Sequence, residues 1–235
     1  MTEVEWNSCT DPQNMLEWLR LSGKASERKL LLFGVACCRT VWPAKPPQPT
    51  RLEVTQQPPI PPRMAELFAD RERRDRAAVE AAERFADAEI DAPDFKAAIR
   101  AAAHNPAGLL ARRGPFRMAS EVARSAANAV PIDIKGGGGH GRSVEELPCR
   151  MLRDIFGPLP FRSVTVGPSL LIWNDKLVPR LAQAIYDERA FDRLPVLADA
   201  LEEAGCNNEE ILSHCRQEEI HVRGCWVIDL VRSVD

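Results

Sequence analysis

A chain of 235 residues is long enough for one large domain or two small ones. With 45% hydrophobic and 28% charged residues it can bury a core, which excludes disorder throughout, and its net charge of −3 is too small to imply a partner by itself. The longest apolar run, Leu30 to Cys38, falls short of the roughly 18 residues of a membrane span, and the acidic start Met-Thr-Glu-Val-Glu-Trp lacks the layout of a secretory signal, so the expectation is a soluble, cytoplasmic protein.

The first helix expected in chain order opens at Thr10-Asp11-Pro12, a capping residue followed by proline at a position a helix tolerates. It carries Met15, Leu16 and Leu19 inward and stops at Leu21-Ser22-Gly23. A second helix, Ser26 to Trp42, is apolar on nearly all sides, which places it at the centre of a bundle. Residues 43–62 hold 8 of the 19 prolines and are expected to form an extended linker.

Arg63 to Ile90 reads as a long, charged helix with Leu67, Phe68, Val79, Ala82 and Phe85 inward. Twelve alanines between Ala77 and Ala103 favour close helix approach. Shorter helices open at Pro93 and at Pro115, the latter carrying Met118, Val122, Ala126 and Ala129. Residues 131–142 break the pattern in a glycine-rich loop. Beyond it come a helix ending at Phe156-Gly157, an extended stretch from Pro158 to Pro168, and a helix from Lys176 to Arg189. Next are a helix capped by Asp192 and stopped at Gly205, a short one opened by Asn207-Asn208-Glu209-Glu210, and a last apolar segment, Val222 to Val231, taken as helical.

The fold class expected is therefore all-α, an irregular bundle of about eight helices. It divides into an N-terminal helix pair (1–42), the proline-rich linker (43–62), alanine- and arginine-rich helices (63–130), the glycine-rich loop (131–142) and a C-terminal helical region (143–235) packed with the rest.

Three blocks of this sequence resemble a family of uncharacterised bacterial helical proteins. The first includes Ala25-Ser26-Glu27-Arg28-Lys29-Leu30 and Ala36-Cys37-Cys38-Arg39. The second is Leu152-Arg153-Asp154-Ile155-Phe156-Gly157 with Pro160-Phe161-Arg162. The third holds Ala184 to Asp192, Ala198 to Cys206, and His221-Val222-Arg223-Gly224-Cys225-Trp226. Ala198 to Cys206 is also similar to a short stretch of a bacterial repeat-companion domain. The resemblance implies shared ancestry and carries no mechanism; the proline-rich segment and the glycine run depart from the family pattern.

Chemistry concentrates near the C-terminus. Cys206, His214, Cys215, His221 and Cys225 place three thiols and two imidazoles within twenty positions. Zinc takes four such ligands in a tetrahedron, so Cys206, His214, His221 and Cys225 are the candidate set for a structural zinc ion. The spacings match no common zinc finger. His221 and Cys225 share a face if the segment is helical, whereas the adjacent His214 and Cys215 diverge. The same groups could instead form a Cys–His nucleophile, with Cys225–His221 the better pair and His214–Cys206 the next. Buried, reduced thiols are the plainer expectation for seven cysteines without an export signal.

Gly136 to Ser143 imitates a phosphate-binding Walker A loop, but Arg142 stands where that loop needs lysine. The parallel sheet it requires has no signal in the sequence either, so a linker is expected. Charge is uneven: eight basic and two acidic residues lie between Lys96 and Arg142, against five basic and twelve acidic between Gln183 and Asp235. Arg112, Arg113, Arg117 and Arg124 are the candidate anion or nucleic-acid contacts, and an internal contact with the acidic end is the alternative. Asp187, Glu188, Asp192 and Asp199 are read as solvated surface, and the five tryptophans as core or interface anchors. No complete catalytic constellation is present. The leading expectation is a non-enzymatic helical module that binds a protein partner; a nucleic-acid binder and a Cys/His enzyme or zinc protein are the alternatives.

Overall fold

The computed structural model describes residues 1–41, 61–102, 119–121, 123 and 146–234. Among these the chain is all-α, with ten α-helices and one 3-10 turn. The helices are α1 (Glu3–Ser8), α2 (Pro12–Ser22), α3 (Glu27–Val41), α4 (Pro62–Ala86), α5 (Ala92–Ala101), α6 (Leu147–Phe156), α7 (Pro168–Glu188), α8 (Leu194–Glu203), α9 (Glu209–Arg216) and α10 (Trp226–Arg232), with the 3-10 turn at Phe191–Arg193. Two of the eleven, α1 and the 3-10 turn, are short elements without a counterpart in the expected set, and α7 reaches back to Pro168, ahead of its expected start at Lys176. No helix is long and apolar enough to cross a membrane among the described residues. The glycine run, most of the proline-rich linker and the helix expected after Pro115 lie outside them, save that Ala119 and Ala123 are buried and Gln13 Nε2 donates to the Ser120 carbonyl at 2.8 Å.

Helix ends follow local chemistry. The Asp11 side chain accepts from the Gln13 amide at the start of α2, Gly23 ends that helix at φ +68°, and Asn208 accepts from the Glu210 and Ile211 amides to open α9. Asp192 departs from expectation. It sits exposed in the 3-10 turn and caps nothing, because α8 starts at Leu194 with proline in its first turn. Helix α7 is broken at Trp173–Lys176, where Asn174, Asp175 and Lys176 take positive φ before the helix resumes.

Two apolar clusters make the core. One gathers α1, α2, α3, α5 and α6 around Trp6, Met15, Leu16, Leu19, Phe33 and Leu152. The other gathers α7 to α10 around Val178, Ile185, Leu197, Leu201, Ile211 and Trp226. Trp6, Trp18 and Phe161 form an aromatic knot in the first, with Trp18 and Phe161 stacked at 4.7 Å. Among the described residues, helix α4 packs through its second half. Val79 and Ala82 are buried against α3, whereas Leu67 and Phe68, expected inward, are exposed at 53% and 51%. The amphipathic period of the helix is genuine there, but no described element covers that face.

Ion pairs that the sequence did not reveal join the two clusters. Arg28 on α3 donates to Asp229 on α10 at 2.6 Å, to Asp87 after α4 at 3.1 Å and to the Tyr186 hydroxyl on α7 at 3.1 Å. Burial opposes the charge on Arg28, and the Asp229 contact overcomes it, so the guanidinium holds its proton more tightly than usual. Burial raises the Asp229 carboxyl above its ordinary range even with Arg28 beside it.

Gly157 ends α6 at φ +51°, and a Cβ there would lie 2.5 Å from the Trp226 ring. Replacing Gly157 with alanine therefore adds a backbone penalty to an overlap in the core. The expected loss is about 2–4 kcal/mol of unfolding free energy, measured by urea titration.

Candidate metal centre

Helix α6 buries Cys149, Met151, Leu152, Ile155 and Phe156, and Asp154 lies within that apolar face with its side chain 3% exposed. An ionised carboxylate survives such burial only with donors on it. Three are supplied by the chain around α9 and α10. His221 Nδ1 lies 2.7 Å and His214 Nε2 3.2 Å from Asp154 Oδ1, and the Val222 amide donates to Oδ2 at 2.8 Å. Burial pushes the Asp154 carboxyl up, the bonds from His214 and His221 pull it down, and the donors prevail: it titrates below its ordinary value of 3.8.

Cys225 completes the group. Its Sγ lies 3.2 Å from His214 Nε2, and the donor atoms of Asp154, His214, His221 and Cys225 all fall within 4.8 Å of one another. His214 comes from the last turn of α9, while His221 and Cys225 come from the non-helical segment between α9 and α10. This differs from the helical pair expected of them: α10 begins at Trp226, and a turn closed by the Cys225 amide on the Val222 carbonyl at 3.0 Å, with Gly224 at φ +91°, brings both side chains inward. Trp226 packs 5.2 Å from the His214 ring on one side and against Gly157 on the other, walling the group.

Three of the four residues singled out for zinc, His214, His221 and Cys225, thus meet in space. Cys206 is not in the group; it is buried in the α7–α10 core, and Asp154 stands where a fourth ligand is needed. Sequence reasoning passed over Asp154 because it sits about 60 positions upstream. The available signal was an acid on the apolar face of a helix, one turn from Met151 and beside Ile155. Arg112, Arg113, Arg117 and Arg124 lie outside the described residues. The acids expected on the surface are there: Asp187, Glu188, Asp192 and Asp199 are all exposed.

The donor set has a definite chemistry. Two imidazoles, a thiolate and a carboxylate suit a borderline cation such as Zn²⁺, and a tetrahedron with bonds of about 2.1 Å has edges of about 3.4 Å. The contacts of 2.7, 3.2 and 3.2 Å are somewhat shorter than that edge, and all four donor atoms fall within 4.8 Å of one another, close enough for one ion after small side-chain adjustments. The charges of a thiolate, a carboxylate and a divalent cation cancel, as burial demands. His221 meets Asp154 through Nδ1, while its Nε2, directed elsewhere from the ring, is buried with no hydrogen-bond partner among the described residues.

A nucleophilic thiol fits less well. For the expected pair Cys225–His221, Asp154 does hold Nδ1 of His221, but no hydrogen bond joins that imidazole to the thiol among the described residues; Cys225 instead meets Nε2 of His214, the nitrogen that also faces Asp154. Cys225 is fully buried, and burial drives its thiol well above the ordinary 9.0. Other thiols follow suit: burial raises the buried Cys215 and Cys149 to about 12 each and the half-buried Cys38 to about 11.

No family profile matches this chain, and no curated protein or solved structure does.

Two measurements probe the site. Thiol reagents applied to the native protein near neutral pH will spare Cys225, Cys215 and Cys37 until the chain unfolds, while the partly exposed Cys9 reacts first; fast labelling of Cys225 would contradict its burial. In excess chelator, Asp154→Asn will be less stable than the parent near neutral pH. A depressed acid contributes fully above its unfolded value of 3.8 and loses that contribution as pH falls through its folded value, so urea midpoints of the two proteins will converge in acid.

Proposed function

We propose that the protein is a non-enzymatic helical module, serving a protein partner, whose C-terminal half is fastened by a structural divalent transition-metal ion held by Asp154, His214, His221 and Cys225. Zinc is the ion this donor set suits best. The observation that carries the reading is the convergence of four ligating atoms within 4.8 Å of one another in a buried setting. Catalytic zinc sites keep an open position for water or substrate, whereas structural sites are closed by protein ligands. Four ligands around a group walled by Trp226 follow the structural pattern. The mechanism is mechanical: one ion ties α6 to the distant α9 and the start of α10, so that the outer helix faces keep a fixed relation for recognition.

Metal analysis of protein expressed with zinc and without an added affinity tag is expected to give one zinc per chain. A ligand present at 1,000 times its Kd adds about 4 kcal/mol, so chelation will lower the thermal midpoint by about 10 °C. Cobalt substitution will give a thiolate-to-metal absorption band that disappears in Cys225→Ser and persists in Cys206→Ser, since Cys206 stands outside the group. Substoichiometric metal and a midpoint indifferent to chelator would overturn the proposal.

A further inference from the structure

A second cluster, remote in chemistry from the first, gathers on Glu83 of α4. Its side chain is 3% exposed, and three guanidiniums converge on it from three elements. Arg39, in the last turn of α3, places Nε 3.0 Å from Oε1 and Nη2 2.8 Å from Oε2. Arg189, at the C-terminal end of α7, donates through Nη2 to the same Oε2, and Arg223, before α10, brings Nη1 to 3.8 Å from it. Arg223 reaches Asp87 as well, at 3.6 Å, and Asp87 is already engaged by Arg28 and by the Tyr186 hydroxyl.

The arithmetic of charge is unbalanced. A carboxylate neutralises one guanidinium, and Oε2 already faces three donors. Among the described residues, five arginines of the connected network (Arg28, Arg39, Arg189, Arg223 and Arg232) meet three carboxylates (Glu83, Asp87 and Asp229), a surplus of two positive charges. A structural network gains nothing from such a surplus, because like charges in a poorly solvated region repel. Burial, with Arg39 and Arg223 nearby, lowers the proton affinity of Arg189 despite Glu83. Arg39 and Arg189 are each 39% exposed, so the edge of the cluster that no described carboxylate compensates is open to solvent. Glu83 engages Nε and Nη2 of Arg39 and Nη2 of Arg189; Nη1 of Arg39 and both Nε and Nη1 of Arg189 have no hydrogen-bond partner among the described residues.

We infer that Arg39, Arg189 and Arg223, held in place by Glu83, form a binding site for a phosphate-class dianion, free or as a phosphomonoester. A phosphate group carries close to two negative charges at neutral pH and several acceptor oxygens, which matches the surplus in charge and the spare donors in number. Guanidinium forks suit it because their planar geometry and permanent charge allow paired bonds to one oxyanion. Glu83 acts as the positioning residue: without a carboxylate between them the three side chains would splay apart. This inference is independent of the metal centre, sharing no ligand with it.

The test is calorimetric titration of the full-length protein with inorganic phosphate, with O-phosphoserine and with acetate, at matched ionic strength. Saturable phosphate binding is expected, with acetate much weaker. O-phosphoserine binding more tightly than phosphate assigns the site to an esterified ligand, and equal or weaker binding assigns it to the free ion. Losing one charge-assisted pair costs roughly tenfold or more in affinity, so Arg189→Gln and Arg39→Gln will each weaken phosphate by that factor. Arg193→Gln, whose side chain pairs with Glu188 on the exposed surface, will bind as the parent does. Circular dichroism establishes that each variant is folded before titration. Absence of saturable phosphate binding, acetate binding as tightly as phosphate, or unchanged affinity in a folded Arg39→Gln/Arg189→Gln double variant would each overturn the inference.

Discussion

The structure turns on a single buried carboxylate. Asp154 sits in the apolar face of α6, where an isolated charge could not remain ionised, and its two oxygens are met by His221, His214 and the Val222 amide. That requirement fixes the path of the chain between α9 and α10. The segment has to turn inward to deliver an imidazole and a backbone amide to one carboxylate, and in doing so it delivers Cys225 as well. Trp226 is then set on Gly157, at the end of the same helix that carries the acid. One electrostatic demand therefore aligns α6, α9 and α10.

A second electrostatic seam runs across the molecule from α3 to α10. Arg28 answers Asp229 and Asp87 across 201 and 59 positions of sequence, and Tyr186 lies beneath Arg223 and Arg232 with their guanidinium carbons 4.5 and 3.6 Å from its ring centroid. Burial, with the Asp87 hydrogen bond, raises the tyrosine hydroxyl above its ordinary range, so it acts as a neutral donor there. Buried ion pairs of this kind add little net stability over apolar packing, but they penalise misalignment heavily, because a displaced partner leaves a buried charge bare. They specify how the two apolar clusters meet.

The sequence made legible whatever depends on near neighbours. The caps at Asp11 and Asn208, the stop at Gly23 and the buried stripe of α3 follow from residues a few positions apart, and the all-α class follows from their sum. Apolar periodicity failed where coverage decides: Leu67 and Phe68 have the right spacing for a core and no described element over them. At the candidate site, clustering along the chain pointed to His214, His221 and Cys225, since they fall close together. Asp154 and Glu83 were out of reach for a different reason. Each is an acid that local rules assign to the surface, and its burial is decided by cations or imidazoles contributed from far along the chain. Cys206 shows the converse: proximity in sequence suggested a ligand, while the packing of α8 against α9 commits it to the core.

Helix α4 has the character of a cantilever. Its C-terminal half is clamped by Val79, Ala82 and the Glu83 ion pairs, while its first turns, from Pro62 to Ala69, project with every side chain exposed. Beyond the clamp, the described contacts of the rod include bonds along its own surface, such as Arg74–Asp70 at 2.8 Å and Arg76–Glu72 at 2.7 Å. Such pairs weaken as salt screens them. Salt is therefore expected to weaken the winding of this end before it affects the clamped half.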